Sequence, residues 1–254
     1  MKIMYQTEWQ NIEFASFSKI SSTNIAGSEF YDAFYRALFE KYSNYEALDA
    51  DWRRNKDEIT DWLASTLPDG ARVLSIGCGL GYMEQRLWLK HGDRLELHVQ
   101  DYASHALGWL RQILPADRIH EGGGSAQTEV DRFDLIYLSA VDYALPDDDL
   151  IGLLTELRSN LRNGGRMMMI SASFLEEAEG SKIVPYIKET LKWILENIGL
   201  RQRGQLWGWM RTRQEYLAVM RAAGMNQVTD GFIDTSHKRT YWIEGMSLHT
   251  THSS

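Results

Sequence analysis

Apolar runs and amphipathic stretches alternate along the middle of the chain. Val73-Leu74-Ser75-Ile76, the run 95–100, Arg118-Ile119-His120, the run 133–138 and the run 166–171 read as strands. Several, above all Met167-Met168-Met169-Ile170, are apolar without a break, as expected of strands buried on both faces. Residues 82–90, 104–114 and 147–161 read as the helices between them. Pro115 stops the second; Pro146 and three aspartates open the third, where the helix dipole favours acids. Asn163-Gly164-Gly165 is expected to close that helix with a turn. Strand–helix alternation of this kind implies a parallel sheet with helices on both faces.

The flanks carry other patterns. Residues 1–27 show no period and read as an arm or irregular cover. Phe30, Phe34 and Leu38 recur every four residues beside Tyr31 and Tyr35, which predicts an amphipathic helix capped by Ser28. A second helix over 51–67 presents Ile59, Trp62, Leu63 and Leu67 and ends at Pro68-Asp69-Gly70. After the fifth strand, residues 174–211 are an insert. Ile183, Ile187, Leu191, Ile194 and Ile198 predict a long helix from about Lys182, and 204–208 is a ring-rich loop with Trp207 in it and Trp209 beside it. Thr212-Arg213-Gln214-Glu215 is a capping box that opens a helix bearing Tyr216, Leu217 and Met220, closed by Gly224. Residues 228–233 and 241–243 read as a final pair of strands, and 248–254 carry no fold signal. The division is therefore a cap over 1–70 and a core over 71–254.

Composition narrows the class. The 254 residues are 44% hydrophobic, enough for a folded core. No apolar run reaches the roughly 18 residues of a membrane span, and the N-terminus lacks a signal core. Cys78 is the single cysteine, which excludes an internal disulfide and a cysteine zinc cluster. These features point to a cytoplasmic address. A net charge of −8 argues against a broad nucleic-acid surface; the local run Arg201, Arg203, Arg211, Arg213 is the one exception. The seven histidines show no metal-binding spacing, so no metal is expected. No oligomeric state follows from the sequence, and a homodimer is compatible with it.

The candidate chemistry starts at Gly77-Cys78-Gly79-Leu80-Gly81, between the first core strand and its helix. Alternate glycines let a ligand approach the backbone, and a helix start behind them favours a nucleotide-like molecule. The bland alternative is that they only end a strand. A dinucleotide fingerprint would place its third glycine at position 82, which is Tyr82. Asp101, after the second strand, suits a ribose but is common to NAD and other nucleotide sites.

The G-x-G-x-G spacing, Asp101, the strand over 133–138, the Asn-Gly-Gly turn, the fifth strand, Ala222-Ala223-Gly224-Met225 and the last two strands occur in order over 71–246. Together they resemble the class I S-adenosylmethionine-dependent methyltransferases. The resemblance implies a Rossmann-like α/β fold: a seven-stranded, mostly parallel sheet with an antiparallel last strand and helices on both faces. It implies S-adenosylmethionine as cofactor and S-adenosylhomocysteine (SAH) as product. It places Gly77, Cys78 and Gly79 at the methionine half, with Gly81 also cofactor-binding, Asp101 on the ribose, Tyr102 on the adenine, Gly124 and Ser125 at the adenine edge, and Ser139 and Ala140 at the methionine end. One departure is Ser75, where the family usually carries an acid.

Methyl transfer demands alignment and a dry site more than a distinctive catalytic group. Asp142 and Tyr143, just past the fourth strand, are the candidate acceptor-side residues; the alternative for Asp142 is a solvated loop acid. The cap and the insert would choose the acceptor. Their Trp and Tyr content suits a small molecule, a sugar or natural-product scaffold, methylated on a hydroxyl or an amine. The other readings are an RNA or protein methyltransferase contacting its partner through the 201–213 arginines, a non-catalytic S-adenosylmethionine-fold binding subunit, and, more distantly, a dehydrogenase.

Overall fold

A computed structural model describes residues 2–6, 8–17, 27–123, 132–176, 198 and 205–248. The N-terminal arm holds three short strands, β1 (Lys2–Gln6), β2 (Glu8–Trp9) and β3 (Ile12–Glu13), the last two forming a hairpin. Two helices follow, α1 (Ser28–Lys41) and α2 (Ala50–Ser65). The core then runs β4 (Arg72–Ile76), α3 (Tyr82–His91), β5 (Glu96–Asp101), β6 (Ile119–Glu121), β7 (Phe133–Ser139), α4 (Asp147–Arg158) and β8 (Leu161–Ile170). The chain closes with β9 (Gln205–Met210), α5 (Arg213–Ala222), β10 (Asn226–Asp234) and β11 (Arg239–Met246). No described helix is long and apolar enough to cross a membrane.

Seven strands form one sheet in the order β10-β11-β8-β7-β4-β5-β6. The pairs from β8 to β6 are parallel, and β11 runs antiparallel to both neighbours. The chain is thus a Rossmann-like α/β protein, as its alternation predicts. Alternate side chains of each strand enter opposite layers. Val73, Leu135, Tyr137 and Met168 pack with Ile59, Leu63 and Leu87 on the α2–α3 side. Leu74, Ile136, Met167 and Met169 pack with Leu150, Leu154, Tyr216 and Met220 on the other. Both faces being covered is why the methionine run has no polar alternation.

A third cluster makes the cap. Phe30, Phe34 and Leu38 of α1 are buried with Phe14, Phe17, Tyr45, Tyr82 and Trp109. Burying each large apolar side chain contributes about 1.5–3 kcal/mol, so the four-residue stripe is enough to fix α1 over the sheet end.

Several local readings are corrected. Ser28 is the first helical residue, and Gly27 takes the cap position without a side-chain bond. The arm and the stretch after 204 are not irregular: β1 and β9 pair antiparallel, each completing the other's backbone hydrogen bonds. The second core helix is replaced by short 3₁₀ turns, Ser104–Gly108 and Leu110–Gln112. Gly108 weakens helix there, and α1 packs on the segment, with Asp32 accepting the His105 amide at 3.0 Å. Asn163-Gly164-Gly165 lies within β8. The Gly164 amide donates to Ser247 and the Gly165 carbonyl accepts from it, while α4 has already closed at Arg158. The long helix expected from Lys182 lies outside the described residues.

Candidate functional site

A cavity of about 270 Å³ lies between the carboxyl ends of β4 and β7 and the cap. Its sheet wall is the segment 77–84 with Ser139, Ala140 and Tyr143. Its cap wall is aromatic, with Phe30, Phe34, Tyr35 and Trp52 beside Lys56, and Lys238 reaches it from the β10–β11 turn. A ligand crevice at the carboxyl ends of strands is what this topology provides.

The glycine loop is shaped by its backbone. Gly77, Gly79 and Gly81 have φ of 63°, 57° and 71°. At Gly81 a Cβ would come 2.2 Å from Leu110 Cδ1, so only glycine fits there. The loop's amides are mostly used internally. Those of Gly77 and Cys78 donate to the Gln100 carbonyl, and that of Gly81 to the Cys78 carbonyl. The Gly79 amide donates to Asp101 Oδ2 at 2.8 Å. The loop therefore offers a ligand close backbone contact more than free donors. Ala140, at the tip of β7, also has positive φ, 57°, a strained value of the kind that gathers at functional sites.

The structure answers the departure at Ser75. Its Oγ donates to Glu84 Oε1 at 2.6 Å, and the Tyr137 hydroxyl donates to the same oxygen at 2.6 Å. Glu84, in the first turn of α3, is buried and lines the cavity. A buried carboxylate from the helix across the glycine loop thus stands against Ser75. Burial raises its pKa; the Ser75 and Tyr137 hydrogen bonds oppose that.

Asp101 is buried, with Oδ1 accepting the Ala103 amide at 2.9 Å and Oδ2 the Gly79 amide. Burial pushes its pKa up to about 6. A carboxylate has further lone pairs for hydroxyl donors, but Asp101 does not itself line the cavity. The Tyr35 phenol lies against Gly79 on that side. Tyr102 is half-exposed, its ring 5.9 Å from that of Tyr31. Gly124 and Ser125 lie outside the described residues.

On the cap wall, Lys56 Nζ donates to Ser139 Oγ at 3.1 Å and lies 3.7 Å from Met83 Sδ. Burial, then the positive charge of Lys238, lowers its pKa to about 8. A turn-to-helix clamp sets both lysines. Thr235 Oγ1 donates to Asn55 Oδ1 at 2.7 Å, and the Ser236 amide donates to Glu58 Oε2 at 2.6 Å.

The two acceptor-side candidates separate. Tyr143 lines the cavity and hydrogen-bonds the Tyr31 hydroxyl. Gly208 of β9 packs on its backbone where a Cβ would be 1.8 Å from the Tyr143 carbonyl oxygen. Asp142 is neither at the cavity nor a solvated loop acid. It is fully buried, and its Oδ2 accepts from Ser171 Oγ at 2.8 Å and from the Tyr216 hydroxyl. One residue's turn of the 3₁₀ helix Asp142–Ala144 sends these neighbours to opposite sides.

The arginine run is also reassigned. Arg211 is fully buried, donating to Asp147 at 2.8 Å and to the Asp142 and Leu145 carbonyls, each at 2.6 Å. Arg213 forks onto both oxygens of Asp230, each at 2.7 Å. Arg211 is thus part of the buried fold, whereas Arg213 stays exposed beside Asp230; Arg201 and Arg203 lie outside the described residues. Adjacent strands bring His98 and His120 within 3.0 Å, with Arg118 beside them. Among the described residues no group of three or more His, Cys, Asp or Glu side chains is arranged to hold a metal.

Glu84, Lys56 and Lys238 were not among the sequence-derived candidates. Glu84 and Lys56 left a trace: each sits on the buried stripe of its helix, Glu84 three residues before Leu87, and Lys56 three and seven before Ile59 and Leu63. Lys238, in a turn, left none.

Residues 46–230 match the methyltransferase-domain family. A curated relative, the S-adenosyl-L-methionine-dependent Diels-Alderase iccD of Talaromyces variabilis, is 27% identical over 164 residues, covering 60% of this chain and 52% of the relative. The chain thus spans about half the length of that relative. Among solved structures, a Nostoc punctiforme protein assigned as an O-methyltransferase superposes with a TM-score of 0.57 at 16% identity, over 85% of this chain and 60% of that one. PigF in complex with SAH superposes with a TM-score of 0.55 at 18% identity, over 87% and 59%. These two likenesses show the fold.

Proposed function

The chain belongs to the methyltransferase-domain family of class I, Rossmann-like, S-adenosylmethionine-dependent enzymes, and from that premise we propose that it methylates a small molecule in the cavity under its cap. The observation that carries this reading is the joining of the positive-φ glycine loop and an aromatic chamber in one cavity. The residues fit the cofactor. Gly77, Cys78, Gly79 and Gly81 form a close-contact wall for its methionine half. Glu84, the acid on that wall, is the partner for its ammonium group. Ser139 and Ala140 stand at the same end. Asp101 would hold the ribose hydroxyls, and Tyr102 would pack against the adenine.

The cofactor supplies an electrophilic methyl group; this chain's residues orient the acceptor and exclude water. Tyr143, Lys56 and Lys238 are polar groups facing the acceptor space. Lys56, with its pKa near 8, can take a proton at Nζ from a hydroxyl acceptor around neutral pH. Asp142 has no part in this reading. Calorimetric titration tests it: SAH binds and NAD does not. NAD binding without heat from SAH would overturn it.

The match to a Diels-Alderase favours a second reading, in which S-adenosylmethionine is bound as a fixed cation and no methyl group moves. Assaying SAH release with the acceptor present separates the two.

A further inference from the structure

We propose that the cap half of the cavity takes a planar aromatic molecule bearing an ionised oxygen, its ring against the aromatic wall and its anion between Lys56 and Lys238. This names the acceptor class for the cavity and rests on the methyltransferase reading only for what happens next. Three observations carry it. First, the wall is ring surface: Trp9 and Phe34 lie 5.5 Å apart, and Trp9 and Trp52 5.9 Å apart at an edge-on angle. Flat apolar walls favour a flat guest.

Second, two ammonium groups from separate elements reach this one cavity, in a chain whose net charge is −8. The acid lining it, Glu84, keeps its charge while accepting from Ser75 and Tyr137, so among the lining residues two ammonium groups stand against one carboxylate. The cap half therefore carries excess positive charge inside an acidic protein, a local field that draws and orients an anion. Third, the arrangement is built. The bonds from Thr235 to Asn55 and from Ser236 to Glu58 hold the turn bearing Lys238 onto the helix bearing Lys56.

The lowered pKa of Lys56 agrees with this. Burial and Lys238 together disfavour its charge, and an anion placed between the two lysines would restore it. Carboxylate and phenolate share the required chemistry. A cationic guest would add to the charge of the two lysines, and a neutral polyhydroxy guest would accept hydrogen bonds from them without balancing that charge.

The test uses the full chain and titrates tryptophan fluorescence with two pairs of probes: 1-naphthoate against 1-naphthamide, and 4-nitrophenolate, above its own pKa, against 4-nitroanisole. The anion of each pair should bind at least about tenfold more tightly, a difference of about 1.4 kcal/mol. Lys56→Met should bring the ratio close to one, Lys56→Arg should keep most of it, and Lys238→Met should lower it about threefold. A preference for naphthoate alone assigns a carboxylate, and for nitrophenolate alone a phenolate. Equal binding within both wild-type pairs, or a preference that survives both Lys→Met changes, would overturn the proposal. SAH titration of the same samples reports folding and keeps the readings apart: SAH binding without anion preference sinks this inference, and anion preference without SAH binding sinks the cofactor assignment.

Discussion

Glu84 and Asp142 are both buried, and each accepts from serine and tyrosine hydroxyls: Ser75 and Tyr137 for Glu84; Ser171, Tyr216 and, at 3.4 Å, Ser173 for Asp142. Burial raises the pKa of both. Their surroundings differ. Glu84 sits at the start of α3 on the cavity wall. Asp142 is closed in behind β7, with Arg211 bonded to its carbonyl and its Oδ1 without a hydrogen-bond partner among the described residues. Glu84 lines the cavity and Asp142 does not. A carboxylate–serine–tyrosine set is thus not a site by composition; the open side decides.

The largest expected effect follows from that contrast. Asp142→Ala leaves the buried Ser171 and Tyr216 hydroxyls without their acceptor, while Arg211 keeps Asp147 and the backbone carbonyl, and should cost about 2–4 kcal/mol of stability in urea. SAH affinity of the folded fraction should stay within about twofold. A tenfold loss of SAH binding would return Asp142 to the site.

Glu84→Gln should do the reverse. A charge-assisted hydrogen bond is worth about 1.5–3 kcal/mol, so SAH affinity should fall about tenfold or more. Binding of 5′-methylthioadenosine, which lacks the ammonium group, should barely change. An equal loss for both ligands would make Glu84 a structural acid like Asp142.

The pH dependence should also separate them. With their folded pKa values raised, both groups hold a proton more tightly in the folded chain than in the unfolded one. Their contribution to apo stability is therefore greatest at low pH and is lost as pH rises from the ordinary carboxylate range through the folded values. The difference in urea midpoint between wild type and Asp142→Asn should shrink over that rise; a constant difference would show that Asp142 does not titrate there. SAH affinity should move the opposite way, strengthening with pH, because the cofactor's ammonium requires ionised Glu84 and its ribose favours ionised Asp101, whose pKa is about 6.

The smallest effects lie at the serines. Ser75→Ala and Ser171→Ala should each cost about 1 kcal/mol of stability. Only Ser75→Ala should also weaken SAH, by a few-fold; a change of equal size in both would erase the distinction.

Much of this was legible in the residues. Strand–helix alternation, the glycine spacing and the unbroken apolar strands are local patterns, and each already implies burial on both faces or a close backbone approach. The capping box at Thr212 also formed as read, with Glu215 closing it. Local signals failed where partners are distant. The arm has no period because its order comes from β9, about two hundred residues away. The helix expected over 104–114 gave way to α1 packing upon it.

The sequence by itself determined the layers, the parallel sheet and the ligand end of that sheet, because periodicity and glycine conformation are properties of neighbours along the chain. Only the tertiary structure decided which charges face the cavity. Asp142 and Tyr143 are adjacent yet point to opposite sides. Glu84, nine residues on, brings a carboxylate against Ser75. Lys56 and Lys238 meet at one cavity although 182 residues separate them. The physical reason is that a buried charge is set by what surrounds it in space, and sequence distance carries no information about that surrounding once the chain has folded back on itself.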